Sequence, residues 1–233
     1  ATGAERALLE PFAGSLLPGA LEGYALPVSD GTERNRANLR EAAALLAEAG
    51  WRVENGVLRD AGGAPFEIDV LLRSAAGEYN NILDLYAQAL ARLGIAVRIS
   101  RVDDAQYNER LARLDFDMTD IRRDLSLSPG NEQKLYWGSA VADQEGTRNL
   151  MGVASPAADA MIEAILAARS TEDFLAATRA LDRVLTTGRY VIPIWSFDVG
   201  RIAHRRELRF PERIPVYGDR ITWMPDVWWW QDE

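Results

Sequence analysis

Four aspartates lie close together along one part of the sequence, and their type and spacing suggest chemistry. They are Asp115, Asp117, Asp120 and Asp124. Carboxylates at such spacing can hold a cation or supply the acid pair of a glycoside hydrolase. They can equally be solvated charges at the end of a strand, because no second group of acids with matching spacing is present. Both interpretations stay open at the level of the residues.

The single histidine, His204, is flanked by Arg205 and Arg206. A catalytic or metal-binding histidine normally has partner side chains, and two adjacent cations disfavour a bound metal. The G-x-S-x-G, P-loop and H-E-x-x-H motifs are absent from the sequence. We therefore expect no cofactor, no metal and no catalytic residue.

Hydrogen-bonding side chains and large aromatics concentrate in the segment SLSPGNEQKLYWGS, residues 126–139. It shows neither the alternation of a strand nor the apolar stripe of a helix, so we expect it to be irregular. Pro129-Gly130-Asn131 predicts a turn within it. Such a segment is suited to contact a polar ligand that also carries apolar groups.

The tryptophans are more numerous than a core of this size needs. Three of them, Trp228, Trp229 and Trp230, are consecutive and cannot all face the same interior. A contiguous exposed aromatic patch usually marks an interface. We therefore predict that part of this set meets a ligand or another protein surface.

An alternating order of strands and helices must position these residues. Apolar residues at a spacing of two predict strands over residues 66–72, 95–99 and 116–121, and helical spacing predicts helices between them. Asp103 is expected to cap the second of these helices, with Gln106 at the capping-box position. This order is typical of a parallel sheet, and the polar segment then follows the carboxyl end of the third strand, where ligands bind in open α/β sheets.

Further elements are predicted on both sides of this unit. A helix over residues 35–49 ends at Gly50, and Asn55-Gly56 predicts the turn of a small hairpin. Ser155-Pro156 and Ser170 predict the starts of two more helices, and residues 190–197 are interpreted as a strand. Residues 1–34 are interpreted as a connecting arm on the surface, and residues 201–233 as a tail without its own core.

The composition excludes several functional classes. With 48% apolar residues in 233 the chain can bury a core, whereas its net charge of −9 argues against general nucleic-acid binding and against docking on anionic lipid. There is no cysteine, so disulfides and thiolate chemistry are excluded. The first residues lack a basic start followed by an apolar block, so a signal peptide would have to lie upstream.

The stretch FDMTDIRRDLSLSPGNEQKLYWGSAVADQEGTRNLMGVASPAADAMIEAI resembles the extracellular solute-binding proteins, family 5, of ABC importers. The stretches NLREAAALLAEAGWRVENGVLRDAGGAPFEIDVLL and ATRALDRVLTTGRYVIPIW are similar to the same family. Within it, the run is similar to the long peptide-binding proteins linked to microcin C uptake. Family members are considerably longer, so the resemblance identifies the chain as a C-terminal part.

The resemblance implies an α/β fold of the type II periplasmic-binding-protein kind, a lobe with a central, mostly parallel sheet flanked by helices. Residues 1–34 would be the arm, residues 35–200 lobe two, and residues 201–233 a tail that crosses to lobe one. It further implies a periplasmic protein that is not an enzyme and that delivers a peptide or peptide-like solute to ABC permease subunits. The exposed tail makes a homodimer of this chain possible.

The resemblance also implies that the exit from the third strand lines the ligand cleft. Asp124 is the nearest match to an aspartate that many peptide binders use for the ligand's amino terminus, and Trp137 would cover a side chain. Charged partners for the peptide would be Glu132 or Asp124 for an ammonium and Arg122 or Arg123 for a carboxylate. The complete predicted ligand-binding set is Arg122, Arg123, Asp124, Ser126, Asn131, Glu132, Gln133, Trp137 and Asn149.

Overall fold

The computed structural model describes residues 1–32, 34–123, 128–194, 201–214 and 224–232. It divides the chain into two compact units, Ala1–Val191 and Ile192–Glu233, which are considered separately below. Among the described residues, no helix combines the length and the apolar character needed to cross a membrane.

The first unit contains seven α-helices and five strands among its described residues. The helices are α1 (Gly3–Leu9), α2 (Arg36–Glu48), α3 (Gly77–Ala91), α4 (Asp104–Ala112), α5 (Glu132–Trp137), α6 (Pro156–Ala167) and α7 (Thr171–Gly188). The strands are β1 (Arg52–Glu54), β2 (Val57–Arg59), β3 (Glu67–Arg73), β4 (Ala96–Val102) and β5 (Met118–Thr119). The second unit adds β6 (Leu208–Arg209), α8 (Met224–Val227) and β7 (Trp229–Trp230).

A three-stranded sheet lies at the centre of the first unit, in the order β4-β3-β5, with both pairs parallel. Val70 and Leu72 on β3 are 2% and 0% exposed and pack with Tyr79 of α3. Leu71 points to the other face, because successive strand residues alternate, and α4 contacts β3. The predicted parallel sheet flanked by helices is confirmed.

A second layer consists of helices. α6 and α7 pack against each other, and α1 packs against α7. Met161, Ile162 and Val153 are almost completely buried there, together with Leu9 of α1, which is 0% exposed. The prediction that the first 34 residues lie on the surface is therefore wrong for α1. Its apolar side chains are too few to show a helical period, but they complete the core that α6 and α7 leave open.

The local capping and turn signals are confirmed. The Asp103 carboxylate accepts a hydrogen bond from the Gln106 backbone N–H at 2.9 Å, and the Ser155 hydroxyl accepts one from Ala158 at 3.3 Å. Asn55 and Gly56 have φ of 51° and 81° and join β1 to β2, as a tight hairpin turn requires.

Three predicted elements differ from the structure. Residues 132–137 form the short helix α5 rather than an irregular segment, and the third strand shrinks to the two residues of β5. Residues 190–194 form no strand, while residues 195–197 lie outside the described part of the chain. A six-residue helix is too short to show a period, and Pro193 removes a backbone donor that a strand would use.

The second unit has a small antiparallel ribbon of β6 and β7. Phe210 stacks on Trp228 with ring centroids 4.6 Å apart, and His204 contacts both rings edge-on. Trp229 and Trp230 remain 48% and 53% exposed. The tail therefore has an aromatic cluster of its own and, beside it, the exposed tryptophans that the sequence predicts.

Candidate ligand-binding site

An open groove of about 550 Å³ lies at the carboxyl ends of two adjacent parallel strands, β3 and β5. The chain leaves β3 toward α3, and it leaves β5 through residues 120–123. The groove is lined by Ala75, Ala76, Gly77, Tyr79, Asp120 and Arg122. This position, outside the carboxyl ends of neighbouring strands, is where α/β sheets bind ligands.

The exit from β5 places two charged side chains in the groove. Asp120 and Arg122 both line it, whereas Ile121 between them is 37% exposed. Residues two apart in an extended segment share a side, which accounts for this arrangement. Arg122 is thus the predicted site residue that the structure brings to the groove. Asp124 and Ser126 lie outside the described residues.

Arg123 contacts α5 and the loop before α6, and it does not line the groove. Its guanidinium lies over the Tyr136 ring, 3.9 Å from the centroid, and 5.6 Å from the Trp137 ring. One of its N–H groups donates to the Arg148 carbonyl at 3.1 Å. Burial lowers the pKa of the Arg123 guanidinium below its usual range, with the nearby positive charge of Arg148 acting in the same direction.

Trp137 is half-buried and packs against the helical core cluster that contains Met161. The sequence predicts that Trp137 faces the cleft. In the structure, much of the Trp137 side chain is instead buried against the core, because α5 lies against α6.

The start of α5 gathers three predicted site residues. Asn131 is exposed, and its side chain makes no capping hydrogen bond to the helix. The Glu132 carboxylate accepts hydrogen bonds from the Gly130 N–H at 3.0 Å and the Gln133 side-chain amide at 3.2 Å. Burial alone would raise the pKa of Glu132, but these bonds and its own backbone N–H lower the pKa overall. The Glu132 carboxylate is therefore ionised at neutral pH, at the turn that precedes α5.

Asn149 has a structural role that sequence reasoning missed. Its side chain is 0% exposed; the amide donates to the carbonyls of Gly138 and Val153 at 3.1 and 2.8 Å, and its oxygen accepts from the Val153 N–H at 3.0 Å. It has no surface to offer a ligand, which argues against the predicted binding role. No feature of the sequence distinguishes Asn149 from an exposed loop asparagine, so this role is visible only from its burial in the structure.

The aspartates before β5 are engaged at the amino ends of β3 and β5, away from the groove. Asp115 pairs with Arg110 at 2.8 Å, and the Asp117 carboxylate accepts from the Asp69 N–H at 2.7 Å. Asp69 also receives bonds from Ser100 and Arg110, both at 2.7 Å. The described residues contain no group of three or more side chains suited to hold a metal ion.

The sequence profile of the bacterial extracellular solute-binding proteins, family 5 (middle region), matches residues 10–140. The chain belongs to this family. Among family-5 relatives, the peptidoglycan-binding protein YepA of Agrobacterium fabrum is 39% identical over 226 residues, covering 97% of this chain and 36% of YepA. YejA of the same organism, named as a probable peptide-binding protein, is 40% identical over 207 residues, covering 88% of this chain and 33% of YejA.

Solved structures agree on the fold, that of a type II periplasmic binding protein. The oligopeptide-binding protein AppA of Bacillus subtilis, in complex with a nonapeptide, matches with a TM-score of 0.65 at 16% identity, over 99% of this chain and 46% of AppA. The stachyose complex of MelB from A. fabrum matches with a TM-score of 0.55 at 19% identity, over 80% of this chain and 32% of MelB. This family-5 chain spans about a third of the length of the curated relatives it matches.

Proposed function

We propose that this chain is part of the substrate-binding component of an ABC importer and binds a peptide or peptide-like solute at the groove beside β3 and β5. The observation that carries the proposal is the position of that groove in a member of family 5. It combines a cation, Arg122, with an anion, Asp120, and Tyr79, which is 8% exposed, forms part of its wall. A peptide presents the matching groups: charged termini, backbone amides and apolar side chains.

The relatives support a peptide-like ligand over other solutes. The names of two relatives near 40% identity refer to peptides and to peptidoglycan, whose stems are peptides. The stachyose complex belongs to a protein only 19% identical, so this match supports a shared fold and gives no information on the ligand of this chain. In this proposal Asn131 and Glu132 at the start of α5 supply further polar contacts to the ligand. Gln133 is only 7% exposed, and its amide bonds the Glu132 carboxylate instead.

We further propose that the protein acts in the periplasm, delivers its ligand to permease subunits and does not catalyse a reaction. The family is one of binding proteins. Asp115 and Asp117, the two described members of the aspartate group that lie outside the groove, are held by Arg110 and the Asp69 N–H. Acids engaged in this way are poorly placed to act as a hydrolytic pair, which disfavours the glycan or peptide hydrolase alternative.

Titration calorimetry with unblocked tri- to pentapeptides tests the proposal. We expect binding in the high micromolar range or weaker, because an isolated lobe lacks the contacts that closure over the ligand would add. Saturating peptide should also raise the melting temperature, since a ligand that binds only the folded state stabilises it. Mass spectrometry of the recovered peptide should show no cleavage.

Two variants make the test specific to the groove. Arg122→Ala should weaken binding about tenfold, equivalent to about 1.4 kcal/mol. Arg113→Ala removes an exposed arginine at the end of α4 and should leave the affinity unchanged. Cleavage of the peptide, or equal loss in both variants, would contradict the proposed function.

A further inference from the structure

We propose that Arg123 is a positioning residue that fixes residues 120–123, the segment directly after β5, and thereby sets how Arg122 is presented to a ligand carboxylate. This inference rests on the proposed function of the groove. It assigns different tasks to two adjacent arginines, either of which could bind a carboxylate according to the sequence analysis.

The first step is the weakness of β5 as an anchor. β5 has only two residues, paired to Val70 and Leu71 of β3. The Thr119 hydroxyl adds one bond to the Leu71 carbonyl at 2.9 Å. A strand this short contributes few backbone hydrogen bonds, so the loop that follows it needs another point of attachment to hold a defined position.

Arg123 supplies that attachment to two segments at once. Its guanidinium stacks on Tyr136 at 3.9 Å and donates to the Arg148 carbonyl at 3.1 Å. Tyr136 belongs to α5, while Arg148 belongs to the loop that leads to α6. The side chain therefore ties the loop after the sheet to two segments of the helical layer.

Those two segments are themselves firmly held. Trp137, the neighbour of Tyr136, packs on the helical core. Asn149, the neighbour of Arg148, is fully buried and bonds the carbonyls of Gly138 and Val153. Arg123 is therefore attached to two segments that are each fixed by neighbouring buried residues.

The chemistry of the contact requires an arginine. The planar guanidinium can stack on a ring and donate in its own plane at the same time, which the compact ammonium of lysine cannot do. The partial burial that lowers the Arg123 pKa fits a group used for packing more than for a solvent-facing charge. Arg122, by contrast, lines the groove itself.

Calorimetry on the 233-residue chain, with trialanine and trialanine amide as probes, separates the two tasks. The ratio of the two affinities measures how well the site recognises a carboxylate. Arg122→Ala should reduce this ratio about tenfold, equivalent to about 1.4 kcal/mol. If Arg123 positions Arg122, Arg123→Lys should reduce the ratio nearly as much as Arg123→Ala, although lysine keeps the charge.

Tyr136 provides the decisive comparison, because it carries no charge to offer a carboxylate. Tyr136→Ala should lower the ratio as Arg123→Ala does, whereas Tyr136→Phe keeps the ring and should retain it. The Arg113→Ala variant should match the wild type. A normal ratio in Arg123→Lys or in Tyr136→Ala would overturn the proposal, since Arg123 would then act by its charge or not at all.

Hydrogen exchange distinguishes failure of this inference from failure of the proposed function. Without any ligand, Arg123→Ala and Tyr136→Ala should speed amide exchange in residues 118–123, and Tyr136→Phe should not. If the wild type binds neither probe, the peptide-binding function fails, and the exchange rates still decide whether Arg123 holds the loop. Unchanged exchange in Arg123→Ala would overturn the positioning role directly.

Discussion

Single residues in this molecule separate into those that hold the site and those that could meet a ligand. Asn149 is the clearest example of the first kind, because three hydrogen bonds occupy its buried side chain. Asn131 is exposed and caps nothing. Two asparagines from the same polar region thus lie in opposite environments, and only the exposed Asn131 has surface for a ligand.

Substitution of Asn149 by alanine should destabilise the fold by about 3 kcal/mol, because three buried backbone groups lose their partner. Asn131→Ala is the matched control and should change the free energy of unfolding by less than about 0.5 kcal/mol. Urea denaturation followed by circular dichroism measures both. Equal midpoints for the two variants would show that Asn149 is dispensable for the fold.

Asp69 should make the stability of the protein fall in acid. Burial alone would raise its pKa, but hydrogen bonds from Ser100, Arg110 and Arg98 lower the pKa overall below the ordinary 3.8. A carboxylate with a lower pKa in the folded state stabilises the fold above its unfolded pKa, and this contribution is lost as the pH falls through the folded value.

Comparison with Asp69→Asn isolates this contribution. The variant should be less stable than the wild type at pH 7 by about 1–3 kcal/mol, because the arginines lose their charged partner. The difference should begin to shrink as the pH falls below the ordinary 3.8 and should go on shrinking as the wild-type carboxylate takes up its proton. Urea midpoints at pH 7 and pH 3 measure it, and a difference independent of pH would contradict the assignment.

At the scale of elements, the hairpin of β1 and β2 joins the sheet through a close contact between the backbones of Leu58 and Gly94. Gly94 precedes β4 with φ of 81°, and its carbonyl accepts from the Leu58 N–H at 2.8 Å. A Cβ on Gly94 would lie 2.7 Å from that Leu58 nitrogen. Only glycine allows both the left-handed backbone and this contact.

Gly94→Ala should therefore cost more than the left-handed conformation alone. Gly146 is the matched control, because its φ is 75° and a Cβ added there would meet no atom within 4 Å. Gly146→Ala should cost about 1–2 kcal/mol from the backbone alone, and Gly94→Ala distinctly more, as measured by urea denaturation. Equal losses in the two variants would show that the hairpin moves aside easily.

Elements with local signals could be predicted from the sequence, and those that depend on distant contacts could not. Asp103 and Ser155 cap helices through their own neighbours, and the Asn55-Gly56 turn is set by two residues. Leu9 becomes core only because α6 and α7 leave a space for it, which no local period reveals. For the site, the sequence places Arg122 at a strand exit. Distinguishing its environment from that of Arg123 requires the position of Tyr136, which lies distant in the sequence.

At the scale of the whole molecule, the exposed tryptophans of the second unit concern assembly. Trp229 and Trp230 are about half exposed on a two-stranded ribbon. Leaving such side chains in water forgoes about 1.5–3 kcal/mol for each. A homodimer contact remains a prediction for this surface, and self-packing of the tail is the alternative.

Light scattering on the chain with and without the residues after Phe210 tests this prediction. We expect a mass above that of the monomer for the 233-residue chain at tens of micromolar, and a monomer after truncation. The double variant Trp229→Ser, Trp230→Ser should also be monomeric, which excludes an effect of the truncation itself. A monomer in every case would favour self-packing of the tail.

The brevity of β5 has a consequence for aggregation. A long, open strand edge recruits other chains, and the neighbouring strand β3 is apolar at Val70, Leu71 and Leu72. In the described structure only two residues of β5 extend this sheet, and the Asp117 carboxylate takes the Asp69 N–H where a longer strand would have continued. On the β5 side of the sheet, the charge and the short strand together leave little template for a second molecule. β3 is thus paired along its whole length with β4 on one side, whereas on the other side only Val70 and Leu71 pair with β5, so the side chains around β5 must keep a second molecule from the rest of that edge.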